Sequence, residues 1–135
     1  MTKILDGQSS QILIEGDEVG KDLVEKALHI GISLEGANLM KAFLINADLK
    51  SANLVGANLK GANLRYADLT DANLTDANLE HVDLRYADLT GANLTGANLK
   101  NADLGHVDLT NADLRFADLT DTDLTGTNLE ECKEW

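Results

Sequence analysis

The chain has 135 residues, with 23 acidic against 11 basic side chains for a formal charge of −12, 44% hydrophobic and 4% aromatic residues, no proline and one cysteine. This fits one domain with an aliphatic core, and the lone cysteine excludes a disulfide framework or a multi-cysteine zinc site. No stretch approaches the ~18 apolar residues of a membrane span and the first residues lack a signal-peptide core, so a soluble cytoplasmic protein is expected, whose charge keeps it off nucleic acid and anionic membranes.

Residues 1–31 carry no repeat and are expected to form an N-terminal cap. Lys3-Ile4-Leu5 and Gln11-Ile12-Leu13-Ile14, separated by Asp6-Gly7-Gln8-Ser9-Ser10, predict two short strands in a hairpin. A helix follows over 17–30, with Asp17 as N-cap and Val19, Leu23, Val24, Ala27 and Leu28 on one face. His29 lies at its C-terminal end and Gly31 stops it.

From Ile32 to Glu131 the chain divides into twenty consecutive five-residue blocks, such as Ala57-Asn58-Leu59-Lys60-Gly61. The third residue of each block, position i, is leucine all twenty times, from Leu34 to Leu129. Position i−2 is alanine fifteen times, the exceptions being Ile32, Val82, Val107, Thr122 and Thr127, and position i−1 is Asn or Asp except at Ser33 and Phe43. A helix would spread a five-residue period around its circumference, and a flat strand would alternate its leucines between two faces. An unslipping period of five therefore needs a turn in every block, with i and i−2 facing the same side. Position i+2 agrees: twelve of its twenty residues are Gly, Asn or Asp, the types that tolerate a positive φ.

On these residues the chain resembles the pentapeptide repeat proteins, whose motif is A(D/N)LXX. The resemblance implies an all-β solenoid, a right-handed quadrilateral parallel β-helix with four blocks per coil and five coils over 32–131. It places all twenty leucines inward, with alanine at i−2 letting the walls approach. Met40, Phe43 and Ile45 on the first coil are expected to receive the cap. Residues 132–135 are too few for a capping helix, so the C-terminal coil is left as a possible homodimer contact unless Trp135 folds over it or the tail frays.

Chemistry is sparse. His29, His81 and His106 share no corner, Cys132 has no histidine clearly placed to activate it, and no phosphate-cradling glycine loop occurs. No catalytic residue, metal or cofactor is expected. Side chains twenty residues apart should form ladders, and two i−1 ladders are rich in Asp: Asp48, Asp68, Asp88, Asp108, and Asp83, Asp103, Asp123. Carboxylates about 4.8 Å apart repel, so Asp68 and Asp88 should titrate above their outer neighbours unless donors offset the repulsion. Arg65, Tyr66, Arg85, Tyr86 and His106 line one edge, as residue types enriched in binding hot spots. Cross-coil stacking and neutralisation of the acidic wall would explain the same residues, just as interchange of Asp and Asn would explain the wall. The expected function is a non-enzymatic structural or protein-interaction module with an unidentified protein partner. The alternative is an acidic DNA mimic that binds a DNA-handling protein such as a topoisomerase, as the resemblance to gyrase-protecting members implies. Against it stand the all-leucine i column, the uninterrupted blocks and the absence of the C-terminal dimerisation helices of those members.

Overall fold

The computed structural model describes residues 20–29, 31 and 33–133. Helix α1, Lys21–His29, is followed by a solenoid whose backbone repeats every twenty residues. Parallel bridges join i−1 residues of successive coils in four ladders: Asn38–Asn58–Asn78–Asn98–Asp118, Phe43–Asn63–Asp83–Asp103–Asp123, Asp48–Asp68–Asp88–Asp108–Asn128, and Asn53–Asn73–Asn93–Asp113–Lys133. Among the described residues these bridges are isolated and do not extend into longer strands. A turn in every block leaves too few extended residues on each wall for more than one paired position.

The turns follow from position i+2. Each leucine carbonyl from Leu34 onward accepts the N–H three residues on, as in Ala37 N to Leu34 O at 3.0 Å and Ala62 N to Leu59 O at 2.9 Å. All twenty i+2 residues, from Gly36 to Glu131, have positive φ. The eight that are not Gly, Asn or Asp are Lys41, Ser51, Tyr66, His81, Tyr86, His106, Phe116 and Glu131. Here the tertiary register overrides a local preference of about 1–2 kcal/mol per residue. The coils are held by main-chain bonds in constant register, such as Leu59 N to Asn78 O at 2.7 Å and Asn78 N to Ala57 O at 2.9 Å.

Leucines 34 to 114 are at most 1% exposed, and the alanines from Ala37 to Ala112 pack between them. Val82 and Val107 fill the same inner position. Leu119, Leu124 and Leu129 also pack against the core but are only partly buried, because no further described coil lies over them. Thr122 and Thr127, at inner positions of that last coil, direct their hydroxyls to Leu99 O at 2.8 Å and Leu104 O at 2.9 Å. Their polarity is thus satisfied where the core opens.

At the other end α1 buries Val24 in the core of the coils, with Leu28 partly buried and packed against it, and Ala27 is buried as well. Gly31, at φ 80°, returns its N–H to Leu28 O at 2.9 Å and closes the helix. The helix starts at Lys21 rather than Asp17; Asp17, Val19 and the expected hairpin lie outside the described residues. Contact with the first coil runs partly through backbone. Gly20 bridges Phe43, and Glu25 Oε1 accepts the Asp48 N–H at 2.8 Å, where one coil later Asp68 N–H finds Ala47 O. Among the described residues α1 does not cover Met40, Phe43 and Ile45: Phe43 is 59% exposed, its i−1 side chain pointing outward while its backbone is bridged by Gly20.

Candidate functional site

Four residues of the predicted edge, Arg65, Tyr66, Tyr86 and His106, are brought together. Tyr66, Tyr86 and His106 occupy i+2 of the same corner in three successive coils, so the twenty-residue register sets their rings above one another. Ring centroids are 5.1 Å apart from Tyr66 to Tyr86 and 5.1 Å from Tyr86 to His106, with interplanar angles of 8° and 6°. Both tyrosines are about half exposed, at 48% and 47%. Positive φ at each corner projects the side chain away from the wall, and the inter-coil bonds fix the spacing. The Arg65 guanidinium lies over the Tyr66 ring, 5.5 Å from its centroid.

Arg85 belongs to a different arrangement. Its Nε and Nη2 donate to the two carboxylate oxygens of Asp83 at 2.9 and 2.7 Å, and Nε lies 3.3 Å from Asp103 Oδ2. These hydrogen bonds hold the Asp83 carboxyl below its ordinary pKa and raise that of Arg85. Arg85 thus neutralises part of the wall that Asp83 and Asp103 form. Asp123, next in that ladder, accepts the Thr125 hydroxyl at 2.6 Å and N–H at 2.9 Å, which lower its pKa.

The other acidic ladder, Asp48, Asp68, Asp88 and Asp108, is aligned in register as expected, but its electrostatics differ. Asp68 titrates below its ordinary value, because the Thr70 hydroxyl donates to Oδ1 at 2.6 Å and the Thr70 N–H at 2.9 Å. Thr110 does the same for Asp108, with help from Asn128 Nδ2 at 3.3 Å. Asp68 is thus the exception allowed for: donors on its own turn hold it below its ordinary value, and repulsion along the ladder does not raise it.

Those donors are a general device. The i−1 side-chain oxygen accepts the N–H of i+1 on each wall, whether it belongs to Asn58, Asp68, Asn93 or Asp103. Position i−1 therefore selects Asn or Asp for an acceptor across the turn. The signal was present in the tripeptides Asp-Leu-Thr and Asn-Leu-Thr, which recur wherever a threonine hydroxyl reinforces the bond, as at Thr75 and Thr120.

Two surroundings escaped sequence reasoning. An open cleft of about 620 Å³ between α1 and the first coil is lined by Asp22, Glu25, Leu28, His29, Asp48 and Lys50. On another corner Lys60 Nζ meets Glu80 Oε2 at 2.6 Å, and His81 Nε2 lies 3.4 Å from Glu80 Oε1. Among the described residues no group of three or more His, Cys, Asp or Glu side chains is placed to hold a metal ion, and no helix is long and apolar enough to cross a membrane.

The sequence profile described as Pentapeptide repeats matches residues 25–54, 52–91, 62–101 and 97–133, with eight copies. Among solved structures the chain is similar to the pentapeptide repeat protein Rfr23 from the cyanobacterium Cyanothece 51142, at 41% identity and a TM-score of 0.62, over 69% of this chain and 60% of that one. It is also similar to a pentapeptide repeat protein from Nostoc PCC 7120, at 37% identity and a TM-score of 0.55, over 56% of this chain and 62% of that one. The matched region thus spans about three fifths of each of these proteins. A search of curated protein sequences finds no match.

Proposed function

The chain belongs to the pentapeptide repeat family, and on that premise we propose that it is a non-enzymatic protein-interaction module whose docking face is the edge Arg65, Tyr66, Arg85, Tyr86 and His106. In this reading residues 32–131 are five coils of a right-handed quadrilateral rod, residues 1–31 its N-terminal cap and residues 132–135 a tail. The observation that carries the proposal is the stacked row Tyr66–Tyr86–His106. Its half-exposed aromatic side chains are already held in one geometry by the coil register. A partner would dock on them without the usual cost of ordering flexible side chains, about 0.5–1.5 kcal/mol each. Tyrosine beside arginine is also the composition that dominates binding energy at protein interfaces.

The test is affinity capture from the native host with the parent chain and with Tyr66→Ser/Tyr86→Ser, followed by direct titration of the captured protein. Both substitutions lie outside the core, so the variant should unfold at close to the parent's denaturant midpoint while its affinity falls at least tenfold. Equal affinity for parent and variant would remove this edge from the reading. The acidic-mimic alternative predicts salt-sensitive binding to purified topoisomerase that is indifferent to the tyrosines. Neutralisation of Asp83 and Asp103 by Arg85 counts against it, since it takes charge out of one acidic ladder.

A further inference from the structure

The three arginines of the chain occupy the same i+1 position of their blocks, yet only two close a hydrogen-bonded ion pair. Arg85 and Arg115 each close a two-pronged hydrogen bond on the aspartate two residues before, Asp83 and Asp113, at 2.9 and 2.7 Å in both cases. At Arg65 the corresponding residue is Asn63, whose side-chain oxygen accepts only the Arg65 backbone N–H, at 3.3 Å. Arg65 consequently makes no ion pair among the described residues, and its Nε is buried with no hydrogen-bond partner. The side chain is nonetheless positioned, with its guanidinium over the Tyr66 ring. Neither the Tyr66 nor the Tyr86 hydroxyl has a protein partner among the described residues.

The Arg65 charge reaches Asp83 one coil away and helps to lower its pKa. Its guanidinium fork nevertheless closes no hydrogen bond on a carboxylate, and a fork held in that state is a site for one. We infer that Arg65 anchors this face by binding an acidic side chain, end-on through its two terminal amino groups, presented by a partner protein whose surrounding surface is basic. The inference rests on the docking face proposed above and names what it recognises. The charge of −12 supplies long-range attraction for a basic surface and raises the encounter rate, while the single carboxylate at Arg65 fixes register. A phosphate-rich partner fits poorly, because Asp83 and Asp103 flank the same edge and the chain as a whole carries a charge of −12.

The test uses two short lysine-rich peptides, identical except that one has a central glutamate and the other glutamine. Each is titrated into the nitrogen-15-labelled full chain, with the three arginine Nε–H signals assigned by substitution. The glutamate peptide should move the Arg65 signal further than the glutamine peptide does, leave Arg115 in place, and bind about fivefold more tightly than the glutamine peptide. Arg65→Gln should erase that preference. So should Asn63→Asp, which supplies the missing carboxylate from within and leaves the core untouched. A preference that survives either substitution, or equal movement of Arg65 by both peptides, overturns the inference. If both peptides move the Tyr66 and Tyr86 ring signals equally while Arg65 stays still, the docking face stands and its carboxylate anchor falls. If neither peptide moves the tyrosines, both fall.

Discussion

His106 occupies the space in which a side chain at position 126 would begin: a Cβ on Gly126 would lie 2.5 Å from Nδ1 and 2.7 Å from Cε1. The aromatic row ends on a glycine because the imidazole leans over the next coil, as Asp71 leans over Gly91 and Asp76 over Gly96. Gly126 also has φ 69°, so an added methyl group meets both a backbone preference and a ring. Gly126→Ala should cost about 1–2 kcal/mol in urea unfolding and shift the His106 ring resonances as the imidazole leaves the stack. An alanine variant of parental stability with an unmoved histidine would show that the coil accommodates the methyl group.

Leu79 lies in the middle of the rod at 0% exposure, with leucines of the coils above and below in contact through the core. Truncation there leaves a cavity that neighbouring coils, locked in hydrogen-bond register, can fill only in part. Leu79→Ala should therefore cost about 2–5 kcal/mol. Leu124, only partly buried in the last coil, should cost clearly less. Chemical unfolding of the two variants side by side checks the order. Equal losses would place the last coil under cover equivalent to that at mid-rod.

Asp68 is held by two donors from Thr70, so its carboxylate is a turn acceptor before it is a member of an acidic ladder. Asp68→Asn keeps an oxygen in place and should change stability little. Asp68→Ala removes the acceptor from both donors and should cost about 1 kcal/mol. Were repulsion along Asp48, Asp68, Asp88 and Asp108 the larger effect, both variants would be more stable than the parent. Urea midpoints at neutral pH separate the outcomes.

That balance marks where the sequence stops being legible. The twenty leucines, the alanines between them and the turn at i+2 could be read directly, because inner positions obey one strict period, and only the last coil, where Leu119, Leu124 and Leu129 are partly buried, departs from full burial. The alignment of Tyr66, Tyr86 and His106 was equally readable, since a period of twenty places them on one corner. Outward positions gave less. Whether a carboxylate repels its neighbour a coil away or is satisfied within its own turn depends on side-chain rotamers, and Thr70 settles it for Asp68 over a distance that no periodicity reveals. The contrast between Asn63-Leu64-Arg65 and Asp83-Leu84-Arg85 was written in the chain, but it acquires meaning only when Arg85 is seen folded back on Asp83. At Phe43 the apolar type suggested contact with the cap, whereas the outward geometry of i−1 kept the ring exposed and gave the contact to the backbone.

The carboxylates also set the pH dependence. Asp113 is drawn down to about 2, first by the Arg115 side-chain hydrogen bond and further by the Arg115 N–H and the charges of Arg115 and Lys133. Asp68, Asp108, Asp118 and Asp123 are lowered by threonine donors, and Asp83 by Arg85. A folded-state value below that of the unfolded chain means that the unfolded chain binds protons first as the solution is acidified. The contribution of these groups is therefore fully present above the unfolded aspartate pKa of about 3.9 and is lost as pH falls through the folded values. The rod should hold a nearly constant urea midpoint from pH 7 to about 5, then lose stability steadily toward pH 2. Arg115→Gln, which frees Asp113 from its largest stabilising contact, should flatten the lowest part of that profile without altering its shape near neutrality. A midpoint that rises between pH 5 and pH 2 would instead mean that relief of repulsion between stacked aspartates outweighs the loss of their hydrogen bonds.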